Sequence, residues 1–307
     1  MSLESDFCLA ICQIKRGEIP VDHNQSNQVA LLKYFLKTLP FLVVAAVPSA
    51  SFAQNMAKDL TDVVRFELLP GWRQNSGSHM IGVRISLEDG WNTYWRIRGS
   101  SGIPPRFSLD GSENVSGFTV HWPRPEVFDL HGERIIGYLN QIVLPVEIMP
   151  VREGEDISLK ATLELGVCSE MCMPVKAEFS ASLDDGGDGS DPHIDAALAT
   201  VPRTIGGDDH MAVDCKFKDI ENGSELIAVI DAEPVTAGEE IAVVEYPNPD
   251  VWIPLPKTNR QGGVLEVRVK MINYGGQDFT PDPKDVRITL IGPDQALDFQ
   301  GCTLTSG

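Results

Sequence analysis

The chain has 307 residues, of which 44 are Asp or Glu and 25 are Lys or Arg, and its formal net charge is −19 at pH 7. A surface this acidic repels phosphate backbones and anionic lipid headgroups, so we expect no nucleic-acid partner. The charge is compatible with an acidic, solvated surface and says little else about function.

An apolar stretch near the N-terminus predicts export. Residues 39–53 follow Lys33 and Lys37 and end in the small-x-small pattern Ser51-Phe52-Ala53. This is the layout of a secretory signal peptide, and the stretch is short for a membrane span. An uncleaved anchor is the alternative interpretation. We predict a soluble protein of the periplasm.

The residues ahead of that stretch do not look like a compact basic leader. Residues 1–28 carry mixed charges together with Cys8 and Cys12, and we interpret them as an over-extended start. We therefore treat 1–53 as leader and signal peptide, expect the mature chain to begin near Gln54, and assign the first two cysteines no role.

Residues 54–183 are predicted to form a β-sandwich. Short runs with period-two alternation recur there, punctuated by Gly, Pro, Asn and Asp, and no long segment with helical periodicity intervenes. The runs are Val64-Phe66-Leu68, Ile81-Val83-Ile85-Leu87, Phe118-Val120 and Ile142-Leu144-Val146.

A second, smaller sandwich is predicted for 205–307, which again alternates. Residues 184–204 are interpreted as a linker and a short helix. The composition at 184–192 is typical of a linker, and His193 to Val201 are predicted to form a short helix with Asp191 as N-cap. The predicted fold is therefore all-β, with two β-sandwich domains.

Without 1–53, four cysteines remain: Cys168, Cys172, Cys215 and Cys302. An even number in an oxidising compartment favours two disulfides, although four cysteines allow three pairings. The simplest assignment joins Cys168 to Cys172. Cys215 and Cys302 would then form a structural bridge across a long loop, which typically stabilises a protein by about 2–4 kcal/mol.

The pair Cys168 and Cys172 lies between two alternating runs, 157–165 and 175–183, whose apolar residues fall on odd positions. This pattern predicts two strands joined at the cysteines. A disulfide at such a junction closes and opens with little backbone movement, which suits electron exchange. An inert hairpin disulfide is the alternative.

Several motifs together resemble the N-terminal periplasmic domain of the protein-disulfide reductase DsbD. The resemblance is closest to the branch called suppressor of copper sensitivity protein B, and it covers about 60–183. It extends more weakly to 193–305, since that branch has two immunoglobulin-like domains. The motifs are Gly90-Trp91-Asn92-Thr93-Tyr94-Trp95-Arg96, Gly99 to Pro104, Trp122-Pro123, Gly137-Tyr138, Leu144-Pro145-Val146 and Val167 to Pro174.

The resemblance implies thiol-disulfide interchange. Cys172 would form the mixed disulfide with a partner, and Cys168 would resolve it. A cap segment would shield the pair, and alignment on Leu144-Pro145-Val146 places it at Asp129, Leu130 and His131, followed by Gly132. The three residues between the cysteines match the copper-sensitivity branch and not the better-known branch.

The resemblance also implies partners. The electron donor would be a membrane-embedded relay or a thioredoxin-like domain. The acceptors would be a periplasmic disulfide isomerase, a reductase or a thioredoxin of cytochrome c maturation. The sequence to residue 307 contains neither relay nor thioredoxin-like domain, so we expect a protein-disulfide reductase component that receives its electrons from another protein.

Two other functions stay open. Cys168, Met171, Cys172 and Met173 offer soft sulfur ligands of the kind that select Cu(I), and His121 or His131 would add nitrogen. A non-catalytic β-sandwich that only binds other proteins is the third possibility. We predict no cofactor, and, if the function is thiol-disulfide interchange, no metal site.

Overall fold

The computed structural model describes residues 60–99, 102–184, 189–206, 211–235, 240–275 and 279–305. The predicted leader, the uncertain start at 1–28 and the mature N-terminus at Gln54 lie outside these ranges. In the part of the chain that the structure describes, no helix is long and apolar enough to cross a membrane. The predicted all-β fold with two β-sandwiches is confirmed.

The first sandwich follows a single helical turn, α1 (Leu60–Val63). Its strands are β1 (Val64–Arg73), β2 (His79–Leu87), β3 (Asn92–Tyr94), β4 (Arg106–Ser108), β5 (Gly117–Val120), β6 (Glu126–Leu130), β7 (Glu133–Leu139), β8 (Gln141–Met149), β9 (Ile157–Cys168) and β10 (Cys172–Leu183). Among the described residues, one sheet has the order β1-β2-β8-β5 and the other β10-β9-β3-β7-β6, with β4 beside β9.

Alternating side chains build the core between these two sheets. Val83 and Leu144 from one sheet meet Leu163 and Leu165 from the other, and all four are buried. Because side chains alternate along a strand, the opposite face of each sheet is left for other contacts. Pro174 is accommodated because β10 is an edge strand, where a missing N–H does not break a ladder.

The helix after the first sandwich is α2 (Pro192–Leu198), and Asp191 caps it as predicted, with Oδ1 accepting from the His193 N–H at 2.8 Å. It ends before the predicted Val201 because residues 199–201 form tight turns. The segment 184–204 is not wholly a linker: Ile194 is fully buried against the outer face of the first sheet, beside Leu69 and Val143.

The second sandwich contains the strands β11 (Arg203–Ile205), β12 (Ala212–Ile220), β13 (Gly223–Asp231), β14 (Ile241–Glu245), β15 (Val251–Trp252), β16 (Lys257–Gln261), β17 (Val264–Asn273), β18 (Arg287–Ile291), β19 (Ala296–Gln300) and β20 (Thr303–Leu304), with a 3₁₀ turn at Pro283–Asp285. Within the described ranges, one sheet has the order β11-β19-β18-β14. The other has the order β15-β17-β13-β12-β20, with β16 beside β17. Because β11 pairs with β19, this sandwich begins at Arg203, inside the segment predicted as linker.

Cys215 and Cys302 are bonded in the second sandwich, with Cα atoms 5.8 Å apart. Cys215 lies on β12, and Cys302 immediately precedes β20, which pairs with β12. The bond therefore fastens the short C-terminal strand to the sheet. The two cysteines are 87 positions apart in the chain, so the bond constrains most of this domain in the unfolded state.

The two sandwiches meet at an ion cluster centred on Arg96, which follows β3. Its guanidinium donates two bonds of 2.9 and 2.7 Å to Glu245 and one of 2.9 Å to Thr289 Oγ1. It also lies 3.5 Å from Asp298 and stacks over the Trp95 ring, 3.9 Å from its centroid. The Arg96 side chain is only 8% exposed, so these charges depend on one another.

Replacing Arg96 with Met should destabilise the protein strongly. The substitution keeps an apolar stem but removes the guanidinium that binds Glu245, while Asp298 keeps its pair with Arg287. Breaking a buried pair costs about 3–5 kcal/mol. Urea unfolding measures the loss. Arg84→Met is the matched control, because the Glu67 partner of Arg84 is 57% exposed and such pairs are worth about 0–1 kcal/mol. Equal losses of unfolding free energy in the two variants would show that the Arg96 cluster stabilises the protein no more than an exposed ion pair does.

The same cluster predicts sensitivity to acid. Burial raises the pKa of Asp298, but hydrogen bonds and charge from Arg287, the charge of Arg96 and a hydrogen bond from Thr289 outweigh it, so the pKa lies below its ordinary value. Because the pKa of Asp298 is lower in the folded than in the unfolded protein, its ionised form stabilises the fold above the unfolded pKa of about 3.9. This stabilisation is lost as the pH falls from that value through the folded-state pKa. Arg96→Met should reduce this slope of stability against pH.

Candidate functional site

The hairpin of β9 and β10 brings the first cysteine pair together. The strands pair without interruption from Leu183 opposite Ile157 to Cys172 opposite Cys168. Ser169, Glu170 and Met171 form the connection, in which the Ser169 N–H donates to the Met171 carbonyl at 3.2 Å. The two sulfurs are bonded in the structure, with an S–S distance of 2.02 Å.

The two sulfurs differ in access. Cys168 is 4% exposed, whereas Cys172 is half-buried. Met171, beside Cys172, is 72% exposed and stands at the tip of the hairpin. Cys172 is therefore the more accessible of the two sulfurs to an attacking thiolate.

The disulfide lies on the outer face of its sheet. Asn92 is opposite Cys168, Tyr94 opposite Gly137, and Ile135 opposite Phe128. Because directly paired residues share a face, a row of side chains crosses the sheet towards the cysteines. Tyr94, Ile135 and Cys168 form the buried centre of this outer-face cluster, and Phe128, Leu130 and Cys172 pack against it.

The predicted cap segment occupies the end of the β6–β7 hairpin. His131 and Gly132 have φ of 52° and 84°, as a two-residue hairpin turn requires. Leu130 packs on the outer-face cluster, but Asp129 and His131 are exposed. Asp129 instead pairs with Arg134 at 3.1 Å, whose hydrogen bond lowers the pKa of that carboxyl.

Phe128, which the sequence pattern did not single out, is a further candidate for the cap beside the predicted Asp129, Leu130 and His131. Phe128 lies two positions before Leu130, on the same face of β6, and packs against the same cluster. Phe128 and Leu130 are two positions apart, as expected for residues on one face of a strand. Val127 is also apolar, so the sequence alone does not show which face of β6 is turned toward the cysteines. The shielding role itself stays a prediction.

A short segment beside the hairpin forms a seat for the Cys172 sulfur. The Gly166 N–H donates to the Ile103 carbonyl at 2.9 Å. A Cβ added at Gly166 would lie 2.9 Å from both Cys172 Sγ and Ile103 Cβ. Gly102 lies against the Tyr94 ring, where an added Cβ would be 2.3 Å from the ring atoms. The two glycines therefore allow this segment to fit between the aromatic ring and the disulfide.

Asn92 is a polar residue inside this mostly apolar site. It is 1% exposed, and neither atom of its side-chain amide has a hydrogen-bond partner among the described residues. Its neighbour Thr93, also buried, donates from Oγ1 to the Gly166 carbonyl at 2.8 Å. A buried polar group without a partner costs about 1–3 kcal/mol, so Asn92 weakens this form of the protein.

Of the other predicted Cu(I) ligands, Met171 and Met173 flank Cys172 in the chain, whereas His121 lies elsewhere. His121 is hydrogen-bonded to Glu147 at 3.0 Å on the other sheet. Within the described residues, no group of three or more His, Cys, Asp or Glu is placed to hold a metal ion. Both sulfurs of the pair are in a disulfide, and a thiolate ligand for Cu(I) would require its reduction first.

Comparison with known proteins agrees with this geometry. Residues 63–184 match the family model described as thiol:disulfide interchange protein DsbD, N-terminal. The predicted resemblance to that domain is confirmed over these residues. No curated protein matches the sequence.

Among solved structures, the chain resembles the crystal structure of the N-terminal periplasmic domain of ScsB from Proteus mirabilis. The TM-score is 0.59 and the identity 21%, and the match covers 80% of this chain and 95% of that one. At this identity the likeness concerns the fold, which extends through both sandwiches.

Gly166→Ala should expose the disulfide. The new methyl group has no room between Cys172 Sγ and Ile103, so either the sulfur or the shielding segment moves outward. Reduction of the purified protein by dithiothreitol should become about tenfold faster, since exchange depends on access to the attacked sulfur. Gly117→Ala is the control, because its Cβ would meet only the end of the Met149 side chain, at 3.2 Å. If Gly166→Ala were reduced by dithiothreitol at the same rate as the unaltered protein, close packing at Gly166 would not control access to the Cys172 sulfur.

Proposed function

We propose that the protein is a thiol-disulfide interchange component that carries electrons through a reversible Cys168–Cys172 disulfide. One observation carries the proposal: a domain of the DsbD N-terminal type holds the pair at a hairpin end, with one sulfur half-buried and the other 4% exposed. This asymmetry assigns the two cysteines different steps.

The reaction divides into two exchanges. The thiolate of a donor protein attacks Cys172 Sγ, the bond to Cys168 breaks, and its electron pair leaves on Cys168 Sγ. A second thiolate of the donor then attacks the mixed disulfide and releases Cys172 as a thiolate, so the donor ends as a disulfide. Two electrons have moved into the domain, and each thiolate takes a proton from water.

Delivery to an acceptor runs in the opposite direction. Cys172 attacks the acceptor's disulfide and forms a mixed disulfide, and the acceptor's other sulfur leaves as a thiolate. Cys168 then attacks Cys172 Sγ, which re-forms the intramolecular bond and releases the second acceptor sulfur as a thiolate, so two electrons have moved to the acceptor. The register of the hairpin favours this closure, because Cys168 is already opposite Cys172. The sheet core lies on the other face of β9, so neither step requires the sandwich to unfold.

Shielding limits which thiols take part. Phe128 and Leu130 pack on the site from the β6–β7 hairpin, and Ile103 and the Cys172 sulfur both lie close to Gly166. A small oxidant or thiol meets a half-buried sulfur, whereas a protein partner with a fitting surface displaces the cap on docking. This selectivity suits a protein that must pass electrons to chosen partners.

The compartment and partners follow from the same proposal. The protein acts in the periplasm after removal of 1–53 and belongs to a protein-disulfide reductase system. Its donor is a membrane-embedded relay or a thioredoxin-like domain. Its acceptors are a disulfide isomerase, a reductase or a thioredoxin-like protein, including those of cytochrome c maturation.

Single-cysteine variants test the assignment of the two sulfurs. Reduced Cys168→Ser is mixed with a thioredoxin-fold acceptor whose only cysteine carries a thionitrobenzoate group, and release of that group is followed. Cys172 should displace it rapidly and leave a stable mixed disulfide. The matched variant Cys172→Ser, whose remaining thiol is buried, should release the group at a rate at least about tenfold lower. Equal rates, or no adduct from Cys168→Ser, would contradict the proposal.

A further inference from the structure

Asn92, whose amide is buried without a hydrogen-bond partner, lies opposite the cysteine whose sulfur leaves during reduction. Asn92 on β3 is directly opposite Cys168 on β9 in the antiparallel ladder. Directly opposed residues have Cβ atoms about 4.5–5.5 Å apart and point to the same face. An asparagine side chain is long enough to bridge a gap of this size, although in the disulfide form its amide makes no hydrogen bond to either sulfur.

The surroundings offer this amide no other partner in the described structure. Tyr94 and Ile135, which share its face, present apolar groups to the outer-face cluster. The polar group of Thr93 is used on the opposite side of the strand, by the Gly166 carbonyl. A disulfide sulfur is a weak hydrogen-bond acceptor and a thiolate a strong one, so the partner that Asn92 lacks appears when the bond opens.

We propose that Asn92 donates a hydrogen bond to Cys168 Sγ when the disulfide is reduced. The inference rests on the interchange function proposed above. When the donor thiolate attacks Cys172, the electron pair of the broken S–S bond stays on Cys168, and negative charge develops on a sulfur that is 4% exposed. A buried charge without a hydrogen bond is costly, and Asn92 supplies a neutral donor at that point.

Two properties follow. The amide stabilises the departing thiolate, which speeds the opening of the disulfide. It also stabilises the reduced protein relative to the oxidised one, in which the amide is unsatisfied. Asn92 thus biases the pair toward accepting electrons, without being part of the bond that breaks.

The test replaces Asn92 by Leu, which has a similar size and no donor. Equilibration of the purified full chain with glutathione buffers should show a disulfide about tenfold harder to reduce, a shift of about 30 mV for a two-electron couple. In a Cys172→Ser background, the pKa of Cys168, read from the pH dependence of alkylation, should rise. Asn92→Asp should shift the equilibrium in the same direction, because an ionised carboxylate cannot donate.

Tyr138→Phe is the matched control, since it removes a buried hydroxyl of the same sheet that donates to the Pro123 carbonyl at 2.8 Å, on the inner face away from the disulfide. It should leave the glutathione equilibrium within about twofold of the unaltered protein. The oxidised Asn92→Leu protein should unfold at the same or higher urea concentration, because a buried unsatisfied amide has been removed. If Leu does not fit, Asn92→Ala gives the same comparison.

An equilibrium constant within about twofold of the unaltered protein in folded Asn92→Leu, with an unchanged pKa of Cys168, would overturn the inference. That result is distinct from failure of the interchange function, which would appear as absence of a mixed disulfide at Cys172 in the unaltered Asn92 background. The alkylation measurement requires no partner protein, so it tests the hydrogen bond whether or not exchange occurs.

Discussion

The antiparallel register of β9 and β10 places Cys168 opposite Cys172, and the chemistry of the site depends on that alignment. The register is held by burial, since Leu163, Leu165 and Ala177 enter the core between the sheets. A slip of one residue would turn these side chains to the outer face and separate the cysteines onto opposite faces. Burial of the inner-face residues therefore fixes the alignment of the Cys168–Cys172 disulfide, which lies on the other face of the sheet.

The two faces of this sheet have different tasks. The inner face supplies stability, and the outer face carries the disulfide, the proposed cap, and Gly166 with the neighbouring Ile103. The strand β3 serves both the site and the domain interface, because Asn92 is opposite Cys168 while Arg96, just beyond the strand, binds Glu245 of the second sandwich. Five consecutive residues thus connect the redox pair with the inter-sandwich ion cluster.

Local patterns made much of this predictable. Alternation on both sides of Cys168 and Cys172 predicted the hairpin, and Asp191 before a proline predicted the start of α2. Contacts between distant segments were not predictable. The partners of Arg96 lie 149 and 193 positions away, and Ile103 meets Gly166 only because the fold brings them together. The cap segment at Asp129, Leu130 and His131 came from the resemblance, and it stays a prediction. The structure adds that Leu130 packs on the outer-face cluster while the other two side chains are exposed.

The most direct test of the account equilibrates the full chain in glutathione buffers and identifies each disulfide by alkylation and peptide mass spectrometry. Cys215–Cys302, fastened between strands of the second sandwich, serves as an internal reference in every sample. The account predicts that Cys168–Cys172 is reduced at a potential above about −300 mV while Cys215–Cys302 stays oxidised. Reduction of Cys168–Cys172 only far below that potential, together with the reference pair, would contradict it.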